Sequence, residues 1–326
     1  MHCDTISKLY HANKIGTPSS LRNNSFHIDL TRMKKAGYIA QNFATYVDLS
    51  TTCDPFLEAF EMIDLLHEEL QKNSDLIVFA RSYDEMMENM KNQKMSAFLT
   101  LEEGAITKGS LPYLRNLYRL GARMATLTWN YENMLASPNT NYTKYKHPDV
   151  TVPFTEWGLT DVGFEIISEM EYLGMIIDVS HLSDAGFWDV LNNTQRPFVA
   201  SHSNARNISS HVRNLTDDMI RAISNRGGII GINFYPDFLS SPCSNHKNVG
   251  TLSEIVQHIK YIENIAGIDC IALGSDFDGI DGNGSLPDVS HMPKLSFALS
   301  CAGFSEDKIE KICYKNVMRV YKEILK

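Results

Sequence analysis

Two apolar runs that each end in a histidine, with room for one helix between them, constrain this chain more than any other feature. The first is Ile176-Ile177-Asp178-Val179-Ser180-His181 and the second is Phe198-Val199-Ala200-Ser201-His202-Ser203. Asp184 to Asn193 lies between them and has the length of a single helix. A strand–helix–strand unit of this kind makes its two strands parallel neighbours. The histidines, 21 residues apart, then stand at the same end of adjacent strands. In a βα barrel the C-terminal strand ends open onto the face that carries active sites. Two imidazoles delivered there are well placed to share a metal.

The same alternation of short apolar runs and helical periodicity continues from end to end, which points to an α/β fold with a parallel sheet. Strands are predicted at Tyr38–Val47, Met95–Leu101, Met124–Thr128, Met175–Ser180, Pro197–Ser201, Gly228–Asn233 and Cys270–Gly274, with an eighth around His2. Thr160 and Thr216 are placed to cap helices, and Gly174 and Gly267 to end them. From Ser305 onward two further helices are expected outside the barrel. The prediction is a (β/α)8 TIM-type barrel with extra C-terminal helices, one domain over residues 1–326. Three long loops, Ser137–Trp157, Leu239–Gly250 and Ile280–Lys294, each follow a strand and read as functional loops.

Composition narrows the function classes. With 43% apolar residues the chain can bury a large core unaided by disulfides. A net charge of −9 with no basic cluster argues against nucleic acid as a partner. No apolar run approaches the ~18 residues of a membrane span. The polar start at Met1-His2-Cys3-Asp4 does not read as a secretory signal. Six scattered cysteines without a CxxC pair read as free thiols, and the expected compartment is the cytoplasm.

Other strand ends supply acids. His2 and Asp4 are spaced so that both side chains share one face of an extended chain. Glu102-Glu103-Gly104 closes the run Met95–Leu101, and Asp276 and Asp278 follow Cys270–Gly274. Each has an ordinary alternative: a strand-end histidine can cap a loop, the glutamates can open a solvated helix, and an aspartate can make an Asx-turn. Taken as a set they match a catalytic metal site built from histidine and carboxylate ligands. A second HxD, His27-Ile28-Asp29, precedes a short helix leading into Tyr38, so His27 is expected at the opposite, N-terminal end of the barrel.

The order HCDT, GYIAQNFATYV, LTLEEG, LYRLGARMATLTWN, GLTDVGFEIISEMEYLGMIIDVSHLS, FVASHSNA, RNLTDDMIRAI, GIIGINFY and ALGSDFDG resembles the renal (membrane) dipeptidase family, in its soluble bacterial branch. The resemblance covers nearly the whole chain. It implies an amidohydrolase-type barrel with two zinc ions, other divalent transition metals being acceptable to the same ligands. His2 and Asp4 would hold one ion, His181 and His202 the other, and Glu102 would bridge them. Asp276 would match the proton-handling carboxylate, and Arg213 the group that grips the substrate's terminal carboxylate. Many relatives carry histidine where Trp129 stands, followed here by Asn130. The tryptophan reads either as a packing aromatic or, with Asn130, as a substrate wall. The implied activity is dipeptide hydrolysis, including dipeptides with C-terminal D-residues, by a metal-bridging hydroxide. Family members are commonly homodimers. Hydrolysis of N-acyl amino acids or lactams, or metal binding without catalysis, are the alternatives.

Overall fold

The computed structural model describes residues 1–240, 248–282 and 284–326. Its strands are β1 (Ala40–Tyr46), β2 (Ile77–Phe79), β3 (Met95–Glu102), β4 (Ala122–Thr126), β5 (Ile176–Asp178), β6 (Val199–Ala200), β7 (Ile229–Ile232) and β8 (Ile271–Leu273). All pair in parallel, and the sheet runs β1-β3-β4-β5-β6-β7-β8. Helices return the chain between strands, as parallel pairing requires. The strands read as continuous apolar runs because both of their faces are covered: all eight residues of β3 are buried. Phe43, Phe98 and Phe198 are fully buried, each contributing about 1.5–3 kcal/mol.

The seven predicted strands are all present, and the sheet differs from expectation at two places. The strand expected around His2 is one residue long. Cys3 bridges Phe277 in parallel, and its carbonyl accepts the Ala44 N–H at 2.9 Å. The Asp4 N–H donates to the Phe277 carbonyl at 3.0 Å, and the helix Thr5–Lys14 begins at once. This immediate turn into a helix leaves no length for a longer ladder. β2 was not predicted: three apolar residues are too few to show alternation. It pairs with Met95–Ala97, at the base of β3 and off the barrel path.

Helix ends follow the local chemistry of the sequence. The Thr160 hydroxyl accepts the Gly163 N–H at 3.0 Å, and Gly174 ends that helix at φ 74°. Thr216 caps Met219 in the same way. The C-terminal segment differs from expectation. Glu306–Glu310, a π turn at Lys311–Lys315 and the helix Asn316–Ile324 follow one another directly. Val320, Tyr321 and Ile324 pack against Phe98, Met124, Ile176, Val199, Ile229 and Ala272. The last helix therefore plugs the N-terminal end of the barrel and leaves the opposite end for chemistry.

Cys3, Cys53, Cys270, Cys301 and Cys313 are free thiols. Cys243 and most of the loop predicted at 239–250 lie outside the described residues. Among the described residues no helix is long and apolar enough to cross a membrane.

Candidate active site

The C-terminal strand ends converge as the periodicity predicts. His2 and Asp4 flank the seam residue Cys3, Glu102 ends β3, and His181 and His202 follow β5 and β6. Asp276 follows β8. Glu102 stands at the centre: its Oε2 lies 3.0 Å from His2 Nε2, while its Oε1 lies 3.2 Å from His181 Nε2 and 3.6 Å from His202 Nε2. One carboxylate thus divides its two oxygens between two sets of ligand atoms. His2 Nε2 is 3.4 Å from Asp4 Oδ2 and 3.9 Å from Asp276 Oδ1. The two strand-end histidines face each other with their Nε2 atoms 2.9 Å apart. Glu103, His181, Asp276 and Asp278 all take positive φ (116°, 70°, 61° and 71°), a costly backbone state that here turns the strand ends.

The electrostatics of these groups suit a bound cation. Burial, reinforced by Glu102 and opposed by His2, pushes Asp4 up to about 7. Burial also takes Asp276 to about 7; His2 opposes the rise, and Asp4 and Glu102 add to it. Burial disfavours charge on His2, but Glu102 and Asp4 outweigh it and raise that group well above its usual value. His181 and His202 are held well below theirs, chiefly by burial and then by neighbouring positive charge, so both rings are neutral. His2 Nδ1 and Asp4 Oδ1 are buried without a hydrogen-bond partner, a costly state that a bound cation would relieve at the carboxylate. A Cβ on Gly279 would fall 2.1 Å from Asp4 Oδ2 and 2.5 Å from Asp276 Oδ1, so glycine keeps this space open. Ligand atoms of His2, Glu102 and His202 lie within 4.8 Å of one another, as do those of His2, Asp4 and Asp276. Neutral imidazoles and crowded carboxylates are the donors that divalent transition metals take.

A cleft of about 470 Å³ opens above these groups, lined in part by Trp129, Asn130, His181, Arg213, Tyr235 and Asp276. The loop predicted at 137–157 supplies Thr140, Tyr142, Val150 and Thr151 to its wall. Arg213 is 5% exposed, its Nη2 donates to the His202 carbonyl at 3.4 Å, and its Nε has no partner. Burial lowers this guanidinium to about 10, which still leaves it charged at neutral pH. The Trp129 ring stands edge-on to Tyr46, 4.9 Å between centroids, and 6.2 Å from His181. Its backbone N–H donates to buried Glu103, which also accepts from Ala105 and Asn133. Asn130 has a further contact that its position in the sequence does not reveal: its Oδ1 is 3.1 Å from His181 Nδ1.

The expectation for His27 is overturned. Its N–H donates to Asp278 Oδ1 at 2.8 Å, its Nδ1 accepts the Asp278 N–H at 3.0 Å, and its ring meets Phe277. It stands at the C-terminal end of β8. The cause is a hairpin-like excursion, tied at its base by Leu30 N–H to Leu21 carbonyl, that carries His27 back up the barrel. Both ends of Asp278 are engaged, with Thr5 and His27, so it fastens the seam. Asp178, Ser201 and Asn233 went unnoticed in the sequence: Asp178 and Ser201 sit beneath His202, and Asn233 Nδ2 donates to Asp276 Oδ2 at 3.0 Å. An acid inside the apolar run of β5 was the one available signal.

The family model for membrane dipeptidases (peptidase family M19) matches residues 1–326. An uncharacterized dipeptidase of Schizosaccharomyces pombe is 31% identical over 310 residues, covering 91% of this chain and 72% of that protein. Dipeptidase tcpJ of Claviceps purpurea is 30% identical over 308 residues, covering 91% and 69%. Among solved structures, dipeptidase AC, a metallopeptidase of family M19, aligns with TM-score 0.88 at 23% identity over 99% of this chain and 97% of its own. A metallopeptidase from Rhodobacter sphaeroides, liganded with a phosphinate mimic of the dipeptide L-Ala-D-Ala, gives 0.87 at 23% identity over 100% and 98%. At this identity the two structures speak to the fold.

Proposed function

From the premise that the chain belongs to the membrane dipeptidase family, peptidase family M19, we propose that it is a two-zinc dipeptidase acting on substrates with a free C-terminal carboxylate. The observation that carries this reading is Glu102, whose two oxygens are shared between His2 on one side and the His181/His202 pair on the other. His2 and Asp4 would hold one ion, His181 and His202 the second, with Glu102 common to both. Zinc in such a site supplies Lewis acidity at a scissile carbonyl and brings the pKa of a water toward neutrality.

The remaining roles fall to side chains of the cleft. Asp276 Oδ2 is occupied by Asn233, which leaves Oδ1 to take the proton shed by the attacking water and return it to the leaving amine. Its elevated pKa suits a group that must both accept and donate near neutral pH. Arg213 presents a planar fork for the substrate's carboxylate, and its unpartnered Nε is the donor awaiting one. Trp129 and Asn130 line the substrate's other side. The mimic held by the Rhodobacter sphaeroides structure supports acceptance of C-terminal D-residues.

The test is a panel of dipeptides, including ones with C-terminal D-residues and ones with blocked carboxylates, incubated with metal-replete protein. Release of free amino acids should be abolished by a chelator and should spare the blocked substrates. Protein shown to hold two metals that cleaves none of them would overturn the assignment.

A further inference from the structure

Asp178 is fully buried, and its carboxylate receives four donors. Oδ1 accepts the Ser180 N–H at 3.0 Å and the Ser201 N–H at 2.9 Å; Oδ2 accepts the Thr126 hydroxyl at 2.9 Å and the Ser201 hydroxyl at 2.5 Å. Ser201 Oγ also lies 2.7 Å from His202 Nδ1. Counting protons decides the direction of this contact. A carboxylate only accepts, and a hydroxyl has one proton to give. With that proton committed to Asp178, the bond between Ser201 and His202 must be donated by the ring. Nδ1 therefore carries the proton, and the lone pair of Nε2 is left facing His181 Nε2 at 2.9 Å and Glu102 Oε1 at 3.6 Å. A metal ligand needs that bare nitrogen.

We propose that Asp178, acting through Ser201, is a positioning residue that holds His202 in the one tautomer able to take a metal. The proposal deepens the metal-site reading above and rests on it for its function, though not for its geometry. The same geometry predicts what Asp178→Asn does. The two backbone N–H groups keep an amide oxygen at the Oδ1 position, so the NH2 group replaces Oδ2 and points at Ser201. Ser201 then accepts from the amide and turns its own proton toward His202 Nδ1. The ring proton moves to Nε2, and the lone pair that faced the site is gone.

Metal-free protein labelled with 15N-histidine reports which ring nitrogen is protonated, and His202→Gln identifies the signal. The expected result is a proton on Nδ1 in the parent and on Nε2 in Asp178→Asn. Zinc affinity, measured by chelator competition, should fall about 10- to 100-fold in Asp178→Asn and Ser201→Ala, while Ser201→Thr, which keeps the hydroxyl, should restore it. Asp178→Asn with Nδ1 still protonated and zinc affinity within about twofold of the parent overturns the proposal. Should Asp178→Asn fail to fold, as judged by its denaturant midpoint, the comparison of Ser201→Ala with Ser201→Thr decides, and equal affinities overturn the proposal. A parent chain that takes up no zinc refutes the metal-site reading separately, because the tautomer measurement needs no metal.

Discussion

Burial and the neighbouring carboxylates bring Asp4 and Asp276 up to about 7 in metal-free protein. Their folded-state pKa values lie above the unfolded value of 3.8, so between about 4 and 7 the folded metal-free chain binds more protons than the unfolded one. Stability from this source is present at low pH and is lost as pH rises through 7. A metal ligand must be deprotonated, so metal affinity runs the other way, climbing from about pH 6 to 8 with release of protons. Titration calorimetry in two buffers of different ionisation enthalpy counts those protons, and an affinity flat across this range would contradict the assignment of Asp4. Asp276→Asn should lower kcat with metal content kept; loss of metal would make Asp276 a ligand. Arg213→Lys keeps the charge but loses the fork, and should raise KM for dipeptides about 10- to 100-fold, the scale of a charged hydrogen bond. Asp276 was legible because it follows an apolar run, Asp4 because its spacing puts it on one face with His2, and Arg213 only through the family resemblance. Ser201 was not, because its role depends on the cross-strand register of Asp178 with Val199, which no local pattern reports. His27 was misplaced because the excursion before it is held by a contact with the distant Asp278.

Strands β6, β7 and β8 approach so closely at Ser201 that two glycines are obligatory. A Cβ at Gly231 would meet the Ser201 carbonyl oxygen at 2.0 Å, and one at Gly274 would meet it at 1.9 Å. Gly231→Ala should destabilise the fold by about 1–3 kcal/mol, the usual cost of overpacking, and should weaken metal binding by displacing Ser201. Denaturant midpoints and metal titration measure the two effects separately. The helix Leu252–Ala266 is tied to the active-site loops by His258, whose Nδ1 accepts the Ala205 N–H at 3.1 Å and whose Nε2 donates to the Leu239 carbonyl at 2.9 Å. The bond that Nδ1 accepts needs the neutral ring, and burial lowers His258 to about 4. Because the folded pKa is depressed, this contribution is fully present above about 6.5 and is lost as pH falls toward 4. It amounts to about 3 kcal/mol across that window. Urea midpoints at pH 7.5 and pH 5 should differ more in the parent than in His258→Gln. Helix caps and stops could be read locally, since a threonine or glycine acts on its own turn. β2 could not, because its three residues are a strand only through their pairing with β3.

At the scale of the whole molecule, the alternation of strand and helix was enough to announce a barrel, since parallel strands leave the chain few other ways to bury both sheet faces. What alternation could not convey is how the cylinder is shut. Along most of its circumference neighbouring strands share a ladder, but between β1 and β8 the link is Cys3 and the hydrogen bonds on either side of it. His2 and Asp4 straddle that link and face Glu102 and Asp276 from strands on either flank. A metal bound by His2, Asp4 and Glu102 would act as a clasp across the weakest line of the hoop, adding binding energy where hydrogen bonding is thinnest. Stripping the metal should then raise hydrogen exchange first in residues 2–4, 40–46 and 271–277 and leave β4–β6 protected; a uniform rise would argue against it. The cofactor that equips the chain for hydrolysis would also be the fastener of its seam, so a cell short of the metal would lose the catalyst to unlatching and proteolysis as well as to silence.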